Sequence, residues 1–187
     1  MNDLLDELTC GDDNRAERAI PAIAEMDEAV IPALLELTHS QNSDTRWWAV
    51  RALAASPHTQ TVDLIPALSD SHAEVRAAAA LALLYHPGAE ALTALTQSLS
   101  DSDPLTAGLA ANALVKLGGA AVPNLIEAAE AGVQGVRILA LRALSELHDH
   151  RAIPVMMKCI QEDSAVLQYW AQLGLERLGL DMVYIKP

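Results

Sequence analysis

The sequence contains no phenylalanine, and aromatic residues of all kinds make up only 3% of its 187 residues. Basic residues are also scarce: 12 Lys and Arg stand against 25 Asp and Glu, which gives a formal net charge of −13. This acid excess argues against a nucleic-acid partner, because phosphate contacts need clustered Lys and Arg. We expect no membrane span, because no apolar run reaches the roughly 18 residues that such a helix needs.

Cysteine is almost as rare, since only Cys10 and Cys159 are present, and we expect both to be unpaired thiols. Unpaired thiols are typical of a reducing compartment. The chain begins with acidic residues such as Asp3, Asp6 and Glu7, where a secretory signal would be basic and then apolar. Together these features favour a cytoplasmic protein.

Two small or aliphatic helix formers dominate what is present, with 34 Ala and 29 Leu among the 187 residues. Hydrophobic residues reach 51%, which excludes a disordered polymer. Ala and Leu are the strongest common helix formers. The composition therefore predicts an all-α protein in which helices approach each other closely over small side chains.

A dyad of one small and one aliphatic residue recurs at spacings of 30, 30, 31, 30 and 31 residues, each time three residues after an alanine. The dyads are Ala22-Ile23, Ala52-Leu53, Ala82-Leu83, Ala113-Leu114, Ala143-Leu144 and Gly174-Leu175. The preceding alanines are Ala19, Ala49, Ala79, Ala110, Ala140 and Ala171. Self-similarity at such a period is the signature of a repeat array.

Each period has the same internal order, which predicts a helix–turn–helix unit. A proline near the start of an apolar stretch, as in Ile31-Pro32 or Val122-Pro123, suits a first helical turn. A polar turn such as 69–72 follows and can cap the second helix. We predict one domain over residues 1–187, with units at about 1–26, 27–57, 58–87, 88–118, 119–148 and 149–180. Residues 181–187 form an appended tail, and the acidic residues 1–36 begin the array as a polar end cap.

The segment Asp70-Ser71-His72-Ala73-Glu74-Val75-Arg76-Ala77-Ala78-Ala79-Ala80-Leu81-Ala82-Leu83 resembles the HEAT-repeat family. The likeness is closest to its short bacterial branch, the phycobilisome-lyase HEAT-like repeats. Thr45-Arg46 and Val136-Arg137, each with its dyad, repeat the core of the pattern. The resemblance implies a right-handed α-solenoid, with second helices lining the concave side and the arginine pairing with a turn aspartate. It says little about function.

A helical wheel at 100° per residue places one set of second-helix positions opposite the buried stripe. By the implied geometry these positions form a concave groove. We predict that it binds a partner through Trp47, Arg51, Ala77, Leu81, Leu84, Asn112, Val115, Ile138, Arg142, Tyr169 and Leu173.

The predicted groove is apolar although the chain is acidic, and this favours a docking surface for a protein or peptide. Arg51 and Arg142 would meet carboxylates of the partner. Self-burial is the alternative: a shifted wheel would place some of these residues in the core, with Trp48 near the boundary. The tail or a second copy of the chain is another possible cover.

No arrangement of residues predicts catalysis, a cofactor or a metal. His148-Asp149-His150 is the only histidine cluster, and it lacks a converging third ligand. We therefore expect a non-enzymatic scaffold or assembly factor. The alternative, drawn from the resemblance, is a subunit that attaches or handles a bilin, with Trp47 stacking on the tetrapyrrole and Arg51 meeting a propionate. A DNA-binding function like that of helical-repeat glycosylases conflicts with the acid excess.

Overall fold

A computed structural model describes residues 2–180, and the predicted tail 181–187 lies outside the described residues. The chain divides into two compact units, residues 1–94 (unit 1) and residues 95–187 (unit 2). Every regular element in residues 2–180 is helical. No helix in this range is long and apolar enough to cross a membrane. The prediction of one domain over 1–187 stays a prediction.

Unit 1 consists of paired helices joined by short turns. Its α-helices are α1 (Asn2–Leu8), α2 (Asp13–Ala24), α3 (Ile31–Leu37), α4 (Ser43–Ala55), α5 (Thr61–Leu64) and α6 (Ala73–Tyr85). Short 3₁₀ segments lie at Glu28–Val30, Ile65–Ser69 and Ala89–Ala91. The second helices α2, α4 and α6 pack in succession, and α1 packs against α2.

Unit 2 repeats this arrangement. Helix α7 (Leu92–Ser98) contains the boundary between the units, and α8 (Pro104–Lys116), α9 (Val122–Ala131), α10 (Gln134–Leu147), α11 (Ile153–Ile160) and α12 (Ala165–Arg177) follow. Segments Gly118–Ala120 and His150–Ala152 form 3₁₀ turns. Helix α10 packs against α8 on one side and α12 on the other.

The repeated residues form the core of each unit, as their spacing predicts. The alanines three residues before the dyads are at most 4% exposed, and the aliphatic dyad residues at most 1%. Small side chains at these points let neighbouring second helices approach closely. The outer position Ala22 is exposed, unlike its equivalents in later repeats.

Part of the predicted turn chemistry is present, although the N-cap of α6 after the turn 69–72 is His72, whose side chain makes no capping hydrogen bond. Pro32, Pro123 and Pro154 lie in the first turn of α3, α9 and α11, where the missing N–H is not needed. Asp103 caps α8 by accepting a hydrogen bond from the Thr106 amide at 2.8 Å. The cap holds the pKa of Asp103 below its ordinary value, chiefly because the Thr106 hydroxyl also donates to it.

Candidate functional site: the exposed faces of the second helices

In unit 1, the predicted residue Trp47 is half-buried and meets Trp48 edge to face, with ring centroids 4.7 Å apart. Trp48 is only 6% exposed and belongs to the core. The guanidinium carbon of Arg51 lies 4.8 Å from the Trp47 ring centroid. Arg51 also donates to both carboxylate oxygens of Glu17, at 2.7 and 3.0 Å. Arg51, which we expected to be free for a partner's carboxylate, is thus already paired within unit 1.

The remaining predicted residues of unit 1 differ in exposure. Leu81 is 43% exposed, Leu84 is half-buried, and Ala77 is only 8% exposed. Ala77 faces the predicted way, but its single methyl group is short enough to be covered where α6 packs against α4. Ala77 therefore offers a partner almost no surface. We call Trp47, Arg51, Leu81 and Leu84 the unit 1 face.

A pocket of about 320 Å³ opens beside the two tryptophans, where the first turns of α2, α4 and α6 come together. We call it the Trp pocket. It is lined by Asp13, Ser43, Asp44, Trp47, Trp48, His72, Glu74 and Val75. Helical periodicity missed it because the wheel singled out later turns. One signal was nevertheless present, since Asp13, Asp44 and Glu74 follow each other at intervals of 31 and 30 residues.

In unit 2 the predicted residues are at least partly exposed. Tyr169 is 60% exposed and meets Trp170 edge to face, with ring centroids 5.1 Å apart. Asn112 is exposed, while Val115, Ile138 and Leu173 are half-buried. Because α10 packs between α8 and α12, these side chains share one side of the helix layer.

Two further apolar residues belong to this side and were not predicted. Leu105 is 62% exposed and Val166 is 47% exposed. They lie seven residues before Asn112 and Leu173, two helical turns away on the same face. We call the whole set the unit 2 face: Leu105, Asn112, Val115, Ile138, Arg142, Val166, Tyr169 and Leu173.

Arg142 is half-buried and belongs to α10, the helix that packs against both α8 and α12. Its Nη2 donates to Asn112 Oδ1 at 2.8 Å and to the Gly108 carbonyl at 3.3 Å. Its Nε is buried and has no hydrogen-bond partner among the described residues. No carboxylate of the described chain pairs with Arg142, in contrast to Arg51. The Arg142 guanidinium therefore places a positive charge within a largely apolar surface, and its Nε–H donor is unused within residues 2–180.

Two other arginines form ion pairs between neighbouring repeats and do not belong to either face. Arg46 donates to both oxygens of the turn residue Asp70, at 2.6 and 2.7 Å, as the resemblance implies. This guanidinium holds the pKa of Asp70 below its ordinary value. Arg137 pairs in the same way with Glu162, at 2.6 and 2.8 Å, and lowers the pKa of that carboxyl.

The other predicted features lie apart from these faces. His148 ends α10 in the left-handed conformation, and Asp149 pairs with Arg151 at 2.7 Å, which lowers the pKa of Asp149 to about 2. Within residues 2–180 no group of three metal-ligating side chains converges. Cys10 is exposed, whereas Cys159 is buried, and burial raises the pKa of the Cys159 thiol.

Comparison with known proteins identifies the repeats. Residues 61–134 match the family model described as HEAT repeats, and residues 136–162 match the model described as PBS lyase HEAT-like repeat. Residues 61–162 therefore carry HEAT repeats. The predicted resemblance is confirmed over this range.

One curated relative of the HEAT-repeat chain is the bilin biosynthesis protein RpcF of Synechococcus sp. (strain WH8020). It is 30% identical over 92 residues, which cover 49% of this chain and 44% of RpcF. The match thus spans less than half of the relative's length.

Solved structures of similar fold cover nearly the whole chain. Escherichia coli YibA aligns with a TM-score of 0.63 at 16% identity, over 95% of this chain and 72% of YibA. Human deoxyhypusine hydroxylase in complex with glycerol gives 0.57 at 18%, over 94% and 72%. A designed armadillo repeat protein in complex with the peptide (KR)4 gives 0.51 at 19%, over 94% and 98%. At these identities the likeness shows the fold alone, and the predicted all-α solenoid class is confirmed.

Proposed function

We propose that the chain is a non-enzymatic binding module that holds a segment of another protein on the exposed faces of its second helices. The observation that carries this proposal is the unit 2 face. Leu105, Val166 and Tyr169 expose large apolar side chains on α8 and α12, the two helices packed against α10, and Arg142 of α10 lacks a carboxylate partner among the described residues. Exposed apolar clusters of this kind mark interaction surfaces. Tyr and Arg are also the residue types that dominate binding energy at interfaces.

The comparisons support a protein partner in general terms. Among proteins of similar fold, a designed armadillo repeat protein is known in complex with a peptide. The pair of free cysteines in turn supports a cytoplasmic site of action, because reducing compartments preserve free thiols.

The direct experiment is affinity capture from a lysate of the source organism, with the bound proteins identified by mass spectrometry. We expect the parent chain to enrich one protein. This protein should no longer be captured by the double variant Trp47→Ala with Leu81→Asp, or by a variant of the unit 2 face. Val62→Asp is the matched control for Leu81→Asp, because Val62 is 49% exposed and lies on α5, outside both faces. Equal capture by all variants would show that the partner does not bind to the second helices.

A second copy of this chain is the competing occupant of either face. Light scattering coupled to size exclusion decides this point, because a homodimer that buries a face has twice the 19.9 kDa chain mass. A dimer that dissociates in the unit 2 variants would assign that face to self-association.

A bilin-handling function is the second candidate, and the likeness to RpcF favours it. Trp47 offers an aromatic surface, but Arg51 lies over this ring and is paired with Glu17. A propionate would have to displace Glu17 from Arg51. Mixing the chain with a linear tetrapyrrole and recording absorbance and fluorescence tests this candidate, since a bound bilin is held in a restricted geometry. A spectrum that equals that of the free pigment would exclude it.

A further inference from the structure

The Trp pocket combines features that the proposed function does not yet use. Its volume is about 320 Å³, within the range of about 300–1,000 Å³ typical of ligand pockets. Trp47 and Trp48 supply an aromatic wall, and Asp13, Asp44 and Glu74 supply three carboxylates. Because α4 packs against both α2 and α6, the three first turns that carry these carboxylates are neighbours.

Among the described residues, these three carboxylates have no ion-pair partner, unlike the acidic residues nearby. Glu17 is paired with Arg51 at 2.7 Å and Asp70 with Arg46 at 2.6 Å. No ion pair or side-chain hydrogen bond within residues 2–180 engages the carboxylates of Asp13, Asp44 or Glu74. All three residues are exposed. Positions in the first turn of a helix favour the negative charge, so the carboxylates are stable there without a counter-ion.

We propose that the Trp pocket receives a Lys or Arg side chain of the protein partner. This inference rests on the proposed function and adds the chemistry of the segment that is bound. A cation over an aromatic ring is attracted by its π electrons, and Trp is the best acceptor. Arg51 already lies over both rings, 4.8 Å from the Trp47 centroid and 5.1 Å from the Trp48 centroid, but it does not line the pocket, so the incoming cation meets the ring surface on the pocket side. Carboxylates on the other walls supply the charge-assisted hydrogen bonds that a Lys or Arg head group needs.

The charge distribution along the chain agrees with a basic partner at this pocket. Residues 1–94 hold 15 acidic and 5 basic residues, a net charge of −10, whereas residues 95–187 hold 10 and 7, a net charge of −3. A strongly negative unit attracts a basic segment and increases the rate of encounter. A docking segment rich in acidic residues would be repelled at the same place.

The test measures binding of a fluorescein-labelled octapeptide of alternating Lys and Arg by anisotropy, at low ionic strength. Octapeptides of Glu and of Gln serve as charge controls. We expect the basic peptide alone to bind, with an affinity that falls as salt is added because screening weakens the charge interactions. In a Trp170→Phe background, the remaining tryptophans are Trp47 and Trp48, so tryptophan emission reports directly on the pocket. Emission should change on binding.

Specificity for the pocket is tested by removing two of its charges. We expect Asp44→Asn with Glu74→Gln to weaken the basic peptide about tenfold, because two charge-assisted contacts are lost. The matched control is Glu127→Gln with Glu146→Gln, two exposed acidic residues of α9 and α10 with the same total charge change. Circular dichroism verifies that both double variants fold.

Three results would overturn the inference: no binding of the basic peptide, equal weakening by the control variant, or unchanged emission of Trp47 and Trp48. Spermidine serves as an additional competitor. If spermidine displaces the peptide at the same concentration of positive charge, the pocket is assigned to small polycations instead. If one of these three results is obtained but the unit 2 face still captures a partner, only the inference about the Trp pocket is wrong. If no partner is captured at all, the proposed function itself is contradicted.

Discussion

Gly174 of α12 lies directly against Met156 of α11. An ideal Cβ built on Gly174 would stand 2.5 Å from Met156 Cε and 2.8 Å from its Sδ. Met156 is fully buried. In four of the five other dyads this position is a buried alanine, so the last repeat replaces a methyl group with space for a long side chain from the neighbouring helix.

Gly174→Ala should therefore destabilise the chain, although alanine is the better helix former. Overpacking of a filled core costs about 1–3 kcal/mol, which exceeds the gain of about 0.5–1 kcal/mol from helix propensity. Gly108→Ala is the matched control, because nothing lies within 4 Å of a Cβ built there and it is inside α8. Thermal melting should show a lower Tm for Gly174→Ala and an equal or higher Tm for Gly108→Ala. The opposite order would mean that Met156 yields without cost.

Removal of the carboxylate from Asp70 should weaken the fold and also reduce its sensitivity to acid. Arg46 holds the pKa of Asp70 below its ordinary value of 3.8, chiefly through their hydrogen bonds. The ionised form therefore stabilises the folded state above about pH 4, and this contribution is lost as the pH falls through the lowered pKa. Asp70→Asn should cost about 1–3 kcal/mol at pH 7, because a largely buried guanidinium loses its charged acceptor.

Melting curves at pH 7 and pH 3 measure this effect. The parent chain should lose more stability between the two pH values than Asp70→Asn does. Asp163→Asn controls for the change in net charge, since Asp163 is exposed and makes no ion pair within residues 2–180. An equal pH dependence of the parent chain and Asp70→Asn would show that the Arg46 pair does not set the acid response.

The two thiols should react at very different rates. Cys10 is exposed, whereas Cys159 of α11 is buried. The pKa of the Cys159 thiol is raised because burial disfavours the thiolate. The thiolate is the reactive form, so a disulfide reagent should modify one thiol rapidly in the native chain and two after unfolding. Cys10→Ser should abolish the rapid reaction. Rapid modification of two thiols in the native chain would place Cys159 at the surface.

The repeat was predictable because a core position recurs wherever the chain returns to the same contact. Ala79 and Ala110 are both fully buried, as the 31-residue interval between them requires. Exposure was less predictable, because a wheel gives the direction of a side chain but not the height of its neighbours. Ala77 and Leu81 point the same way, yet the short methyl group is covered and the longer side chain is 43% exposed.

The partners of charged side chains could not be read from the helical period alone. Arg51 meets Glu17 across 34 residues, and the half-buried His86 places its Nε2 2.9 Å from the Ala54 carbonyl across 32 residues. Both distances in sequence are near one repeat, but several residues of each neighbouring repeat satisfy that spacing. Only packing of the side chains selects one of them. The structure was therefore needed to show that Arg51 is ion-paired, whereas Arg142 has no carboxylate partner among residues 2–180.

Loss of a single aromatic side chain from the unit 2 face should separate binding from stability. Tyr169→Ala removes a side chain that is 60% exposed, so we expect the free energy of unfolding to change by less than about 1 kcal/mol. Partner affinity should fall about thirtyfold, because a central aromatic residue contributes about 2 kcal/mol or more to an interface. Val62→Ala is the control: Val62 is 49% exposed and lies on α5, outside both faces. Binding of the captured partner to the three chains, measured by calorimetry, should rank Val62→Ala with the parent chain. If Val62→Ala weakens binding as much as Tyr169→Ala, the partner does not dock on the unit 2 face.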